Sequence, residues 1–513
     1  MEPTITTRAT TRRAVLAAGV ALATAACDRA STPAGPPATS PATSPVAPTS
    51  GPPSWDDLAG KLPGGLLRPD GAGWNPSALL YNPRFTAAPQ AVAPVRTADD
   101  VAACVRFAAE SRTPLRLRCG GHSYGGWSAD AGLVVDLAAL NSVEVSADGT
   151  RATVGAGATL IDVYSQLGSR GLAIGAGSCP TVGVSGLTLG GGVGVLAPSF
   201  GLTCDQLRSA TVVTADGKQQ TVDGDDDLFW ALRGGGPGLA AVTSWEFALR
   251  PAPDVEVFFL RWSWERAADV LAAWQAWLPD APRELWSTCK LLANPDDGDR
   301  VQVSGAWTGS ASLDTALAGL LGRLPAPAAN THRRLDYAAA MAYEAGCSGL
   351  DAAACTTKAL DGDHRQPFAA TSSMLGRELP DAGVQAGVAA VQAVIDAPPA
   401  GLVEAGMSFD ALGGAVADVA PDATAFPWRT ALATVQHTAT WTGRQDAAGF
   451  DAVVAGTRAA LSRWTGNAAY VNYADAGLPD RATACWGDNL ARLREVRKTV
   501  DPDGVFASPG TGD

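Results

Sequence analysis

The stretch RCGGHSYGGWS, Arg118 to Ser128, admits two incompatible readings, and the fold follows from which one holds. Gly121-His122-Ser123-Tyr124-Gly125 fits the G-x-S-x-G nucleophile elbow of a serine hydrolase, yet the same residues can form a glycine-rich loop that presents His122 to a cofactor. An elbow needs a strand before the serine and a helix directly after it, because the helix N-terminus supplies the dipole that steadies the oxyanion. PLRLRC ahead of the loop is strand-like, but Gly125-Gly126-Trp127 and then the strand-like GLVVDL stand where the helix should be. A triad would also need a downstream acid and histidine, and nothing but their presence nominates His332, His364 or His437. A hydrolase using Ser123 is therefore the weaker reading.

A chain of 513 residues exceeds what one hydrophobic core ordinarily serves, so two folded domains are expected. The formal net charge of -13 repels phosphate backbones and anionic membrane surfaces. Nucleic acid is thus not an expected partner, and a small, weakly charged substrate fits better. The 57 glycines and 35 prolines favour tight turns and close backbone approaches over long helices.

The segment TTRRAVLAAGVALATAAC pairs Arg12 and Arg13 with an apolar run from Ala14 to Ala26. That run is shorter than the roughly 20 residues a membrane span needs, so residues 1–27 read as a signal peptide. The paired arginines resemble the twin-arginine export signal, and Ala25-Ala26-Cys27 resembles a lipobox with Cys27 as the lipid-bearing residue. Export to the cell surface or medium is expected, with membrane contact only through a lipid on Cys27; cleavage near Ala26 and release is the alternative. Residues 28–54 are a Pro/Ser/Thr-rich tether expected to be disordered.

Of nine cysteines, Cys347 and Cys355 in CSGLDAAAC are the best local candidate for a disulfide in an oxidising compartment. Cys104, Cys119, Cys204, Cys289 and Cys485 read as small core residues. With no C-x-x-C and four histidines, no metal site is expected.

From Ala93 to Leu249 strand-like and helix-like pieces alternate: a helix over TADDVAACVRFAAESR, strands at PLRLRC, GLVVDL, RATVGAGA, SATVVTADG and TSWEFALR, and helices over LIDVYSQLGSRG and DLFWALRGG. From Val255 longer strands alternate with amphipathic helices, which predicts an antiparallel sheet covered by helices. The fold class is α+β.

A second glycine-rich segment, GAGSCPTVGVSGLTLGGGVG from Gly175 to Gly194, fits neither the dinucleotide G-x-G-x-x-G fingerprint nor the P-loop. Together CGGHSYGG and GSCPTVGVSGLTLGGGVG resemble the flavin loops of the vanillyl-alcohol-oxidase superfamily, specifically the berberine-bridge-enzyme-like oxidoreductases. DLFWALRGGGPGLAAVTSWEF, GLTCDQLRSATVVTADG, DALGGAVADVAPDATAFPWR, YVNYADAGL and WGDNLARLREVRKTVDPDGVF extend the resemblance from about Pro83 to Phe506. It implies a PCMH-type FAD-binding domain of two subdomains over 55–252, a substrate domain over 253–466, and a C-terminal segment, 467–513, that returns to the FAD domain.

The resemblance also implies an FAD joined to His122 at its 8α-methyl and to Cys179 at C6. Residues 118–123 (Arg118, Cys119, Gly120, Gly121, His122 and Ser123) would wrap the pyrophosphate through backbone amides, with Tyr124 also at the cofactor. Gly177, Ser178, Val182, Gly183, Gly186, Val242, Asn472 and Tyr473 would lie near the rest of the cofactor. Imidazole and thiolate are the soft nucleophiles such linkages need.

The implied reaction is oxidation of a carbohydrate or secondary-metabolite alcohol, with hydride passing to flavin N5 while a base takes the hydroxyl proton. Tyr473 is the candidate base, Tyr470 the reserve, and Asp410 in SFDALGG the neighbour that contributes beside it. Trp428 in AFPWR and Trp486 in CWG depart from the family's usual residues and are expected to make the pocket more aromatic. Val182, three residues after Cys179, implies oxidase behaviour with O2 as acceptor; a dehydrogenase of the same fold, or a non-catalytic surface lipoprotein that keeps the fold as a binding module, is the alternative.

Overall fold

The computed structural model describes residues 53–511 apart from 70, 131, 363, 444 and 508. The residues read as a signal peptide, Cys27 and nearly all of the tether therefore lie outside the described residues. No helix among the described residues is long and apolar enough to cross a membrane.

The first sheet is parallel, with β1 (Ala91–Pro94), β2 (Leu115–Arg118) and β3 (Leu133–Asp136) in the order β1-β3-β2. A parallel pair needs a crossover, and the helix Ala98–Ser111 supplies it between β1 and β2. Thr97 and Asp100 form its capping box, so the helix starts where the sequence pattern puts it. β4 (Val143–Val145), β5 (Arg151–Gly155), β6 (Leu172–Ala173), β7 (Leu207–Val213), β8 (Gln219–Asp223), β9 (Ala241–Ala248) and β10 (Arg250–Pro251) follow. β6 pairs with β10, and the other five form an antiparallel sheet in the order β4-β5-β9-β7-β8.

The third sheet is antiparallel and has seven strands: β11 (Val255–Ser263), β12 (Leu285–Ala293), β13 (Arg300–Trp307), β14 (Ala329–Leu335), β15 (Phe368–Leu375), β16 (Leu402–Ala411) and β17 (Ala433–Trp441), ordered β14-β11-β13-β12-β16-β17-β15. Its inner strands β12, β13, β16 and β17 send successive side chains to opposite faces. Leu285, Cys289, Leu291, Val301, Val303, Met407, Phe409, Val435 and Trp441 share a core with the helices Ala267–Trp277, Leu313–Leu321, Asp381–Asp396 and Ala448–Thr465. Thr288, Lys290, Ser304, Ser408, Asp410 and Gln436 take the intervening positions and face a cavity. β12, β13, β16 and β17 thus each serve a helix-covered face and a cavity face.

Two of these elements escape the hydrophobic pattern. β14 is an edge strand exposed along most of its length, so it carries no alternation. The helix Asp381–Asp396 buries Gly383 against Leu379 and Trp464, and Gly387 against Leu461, so small residues replace the large ones that announce a helix face. The Cys347–Cys355 disulfide is present, with its Cα atoms 5.4 Å apart.

After β17 the chain returns to the first half of the molecule. The helix Leu490–Val500 lies against Asp227–Leu232, and the Arg497 guanidinium donates to the Gly235 carbonyl at 2.8 Å. Upstream, Arg429 is fully buried and holds Asp205 with two parallel bonds of 2.7 and 2.8 Å, while also donating to Thr424 Oγ1. Removing one partner of such a pair strands a charge away from water. Arg429→Leu is expected to lower unfolding free energy by about 3–5 kcal/mol, read from denaturant titration; a loss below about 1 kcal/mol would show Asp205 rehydrated or protonated.

Candidate active site

The quoted loop leaves β2 and packs backbone to backbone on the second glycine segment. A Cβ on Gly120 would run into the Thr181 carbonyl and the Gly183 amide, and one on Gly183 into Cys119 Sγ and the Gly120 amide. Gly121 has φ +72°, a left-handed conformation that L side chains rarely adopt. The second segment is tied down in turn: Leu160 N donates to Val182 O at 3.0 Å, Ile161 N to Pro180 O at 3.1 Å and Val184 N to Ala158 O at 2.9 Å. His122 and Cys179 consequently line one cavity. His122 Nε2 lies 2.8 Å from Thr181 Oγ1, and Tyr81 stacks on the imidazole at 3.9 Å and 15°. Burial, helped by the Arg118 charge, pushes the imidazole down to about 3, so it is neutral at physiological pH.

The cavity measures about 470 Å³. Of the residues anticipated from sequence, Cys119, Gly120, Gly121, His122, Ser123, Tyr124, Gly177, Ser178, Cys179, Val182, Gly183, Gly186, Val242, Asp410, Asn472 and Tyr473 all line it. The residues present suit a large polar cofactor. A Cβ on Gly186 would meet no atom within 4 Å, so the space beside it is open. Ser128 Oγ and Trp286 Nε1 are buried in the lining with no hydrogen-bond partner, which leaves polar atoms for a ligand to satisfy. Cys179 is the exposed free thiol among the described residues, whereas Cys104, Cys204, Cys289 and Cys485 are buried. Although exposed to the cavity, the Cys179 thiol is enclosed away from bulk water, which raises it, opposed by the Ser178 hydrogen bond and the Lys290 charge.

The Arg118 guanidinium donates to Asp136 at 2.9 Å and to the Leu79 carbonyl at 3.0 Å, tying β2 to β3 where the loop begins. Three expectations need correction. Tyr470 lies outside the cavity lining; its buried hydroxyl accepts from Gly192 N, Val193 N and Asn472 Nδ2, so it braces the glycine segment. Trp428 donates to the Ala469 and Cys485 carbonyls, and Trp486 is fully buried, donating to Gly234 O under the Arg497 guanidinium. Both indoles belong to the core instead of the pocket.

The cavity's sheet-side wall comes from positions that the sequence reading did not single out: Trp286, Thr288 and Lys290 of β12, Ser304 of β13, Ser408 of β16 and Gln436 of β17, with Glu344 from the helix Tyr337–Glu344. Their period-two spacing on β12 was the available signal. Thr288 Oγ1 lies 3.0 Å from Ser408 Oγ, which donates to Asp410 Oδ1 at 3.0 Å, so a hydroxyl chain orients that carboxylate. Gln436 donates to the Tyr124 hydroxyl at 2.8 Å, and the Tyr124 ring stacks on Tyr473 at 5.5 Å and 11°. Burial, then the Asp410 charge, hold the Tyr473 phenol well above its ordinary value.

No hydrolase site assembles around Ser123. Its Oγ accepts from Trp127 N at 3.2 Å, and no histidine is bonded to it. The one serine–histidine contact among the described residues, Ser373 with His437 at 3.2 Å, is fully buried, and His437 Nδ1 has no acid partner.

The described geometry is that of a flavin-binding oxidoreductase. An FAD-binding-domain family model matches residues 89–223, and a berberine and berberine-like model matches 469–510. The FAD-linked oxidoreductase YvdP of Bacillus subtilis is 30% identical over 442 residues, which cover 85% of this chain and 93% of that one. Among solved structures, a chitooligosaccharide oxidase superposes with a TM-score of 0.80 at 26% identity, covering 89% of this chain and 98% of the other. Glucooligosaccharide oxidase from Acremonium strictum, described as carrying 6-S-cysteinyl, 8α-N1-histidyl FAD, superposes with a TM-score of 0.76 at 27% identity over 86% and 95% of the two chains. The chain belongs to the berberine-bridge-enzyme-like FAD-linked oxidoreductases.

Glu344 gives the cavity wall a titration. Burial raises its carboxyl to about 7, with Lys290 opposing; in an unfolded chain it titrates near ~4.3. Between those values the folded protein keeps a proton that the unfolded chain has lost, so stability falls as pH rises through that window. Glu344→Gln lacks this loss. Unfolding free energies of both proteins between pH 4 and 8 should show wild type declining relative to the variant, with the change complete above pH 7.

Proposed function

We propose that this chain is an oxidase whose FAD is attached to both His122 and Cys179 and which oxidises an alcohol carbon of an oligosaccharide-type carbohydrate, with O2 as acceptor. The observation that carries the reading is one cavity with two unlike walls: His122 and the exposed Cys179 thiol on the glycine loops, Asp410 and a row of hydroxyl and amide side chains on the sheet. Flavin, when bound, accepts hydride from the carbon that bears the hydroxyl.

Tyr473 faces the cavity and has no hydrogen-bond partner on its hydroxyl among the described residues. Because its phenol is held high, it does not stand as phenolate at neutral pH. The proton therefore needs a second acceptor, and Asp410, oriented by Ser408 and near enough for its charge to act on the Tyr473 phenol, is the group that takes it. Gln436 and Tyr124 fix the plane of Tyr473 through the hydrogen bond and the stack. Thr288, Ser304, Ser408 and Gln436 offer donors and acceptors to sugar hydroxyls, and Trp286 offers an indole N–H and an apolar face. The likeness to a chitooligosaccharide oxidase supports the substrate class. Export through residues 1–27, with a lipid on Cys27, is part of the same proposal and rests on the sequence.

The test starts with acid precipitation of protein expressed from about Ser54 onward, which should retain yellow colour in the pellet. Oligosaccharides are then screened for peroxide formation. Tyr473→Phe and Asp410→Asn should each lower kcat by about 10²–10⁴-fold with the flavin still bound. Variants that stay within about tenfold of wild type would remove the pair from proton transfer. Substrate that bleaches the flavin without peroxide would make the protein a dehydrogenase.

A further inference from the structure

Thr181 stands between the two loops at the point where His122 meets them. It is 3% exposed, sits two residues beyond Cys179, and its Oγ1 has His122 Nε2 as its partner at 2.8 Å. The separation of the loops is fixed by the backbone contact of Gly120 with Thr181 and Gly183, so this bond is no accident of a loose side chain. One face of the imidazole is held by Tyr81, whose own amide donates to Gly121 O at 3.0 Å. The ring therefore has one plane and one engaged nitrogen, leaving Nδ1 as the other.

We propose that Thr181 is the positioning residue for flavin attachment, engaging His122 Nε2 so that Nδ1 is the nitrogen left to bond the flavin. The proposal rests on the bicovalent reading above and deepens it. A neutral imidazole carries one N–H and attacks only through the nitrogen that lacks it. A hydroxyl that accepts from Nε2–H leaves the Nδ1 lone pair available. As the new bond forms, positive charge grows on the ring and Nε2–H becomes a stronger donor to the same oxygen. Once that proton has left, Nε2 is an acceptor and the threonine O–H turns to donate to it. A hydroxyl can serve on both sides of the step; an alkyl group on neither.

The step balances as follows in atoms and electrons. Nδ1 joins the flavin 8α carbon, that carbon loses one hydrogen, and the imidazole loses its Nε2 proton. Two electrons enter the isoalloxazine, and dioxygen takes both electrons and both protons to leave as hydrogen peroxide.

Wild type, Thr181→Val and Thr181→Ser are expressed as the full folded chain, incubated with FAD in air, digested, and mapped by mass for flavin on the His122 and Cys179 peptides. In wild type both peptides carry flavin. In Thr181→Val the flavinylated share of the His122 peptide at matched times should fall at least about tenfold, the loss expected for a misplaced reacting nitrogen, while the Cys179 peptide stays modified. Thr181→Ser should recover the His122 linkage, which a purely packing role for the threonine methyl would not give. Full and equally rapid modification of His122 in Thr181→Val overturns the proposal alone. Absence of flavin from His122 in wild type overturns the bicovalent reading and this proposal with it. Should Thr181→Val fail to fold, Thr181→Ala removes the hydroxyl without rigid bulk and is read in the same way.

Discussion

The architecture of the site depends on a contact between two stretches of bare backbone. Residues 119–123 and 179–186 approach so closely that neither Gly120 nor Gly183 can carry a side chain without parting them. This closeness puts a histidine from one loop and a cysteine from the other on the same wall of a cavity. Each loop is anchored independently, the first through Arg118 and Asp136, the second through amides at the start of the helix Leu160–Gly168. Rigid anchoring on both sides is what turns two glycine-rich segments, intrinsically the most pliable parts of a chain, into a fixed template.

The opposite wall obeys a different rule. The seven-stranded sheet sends alternate residues to a helix-covered core and to the cavity, so polarity along each strand decides what the cavity presents. The C-terminal segment then joins the two halves. Tyr470 braces the second glycine segment with its hydroxyl while Tyr473, three residues on, opens into the cavity. The buried Arg429–Asp205 pair fixes the return of the chain from the sheet to the flavin loops.

Much of this was legible in the sequence, for reasons that can be named. The family resemblance carried by the two glycine segments, SFDALGG and YVNYADAG singled out His122, Cys179, Asp410 and Tyr473, all of which line the cavity. The nine-residue CSGLDAAAC segment announced its disulfide because a short loop brings its own ends together. Trp428 and Trp486 were misplaced because an indole on a short loop points wherever distant carbonyls accept its N–H, and Gly234, Ala469 and Cys485 are remote or unpatterned in sequence. The polar wall was missed because β12 is buried along nearly its whole length. Alternation there separates two buried faces, and only tertiary structure tells which of them borders a cavity.

The seven-stranded sheet has a consequence for how such a protein can change. Residues 286, 288 and 290 of β12, 304 of β13, 408 of β16 and 436 of β17 all belong to the cavity face, while their immediate neighbours Leu285, Cys289, Leu291, Val303, Phe409 and Val435 belong to the helix-covered core. The two sets interleave along the chain, but Trp286 also packs into a buried core, Thr288 and Ser408 orient Asp410, and Gln436 bonds Tyr124 of the His122 loop. Evolution, or a library confined to the codons for Lys290 and Ser304, can therefore alter the cavity wall while the helix-covered core and the loops that hold His122 and Cys179 stay as they are, so that recognition and foldability are written in alternate letters of the same strands.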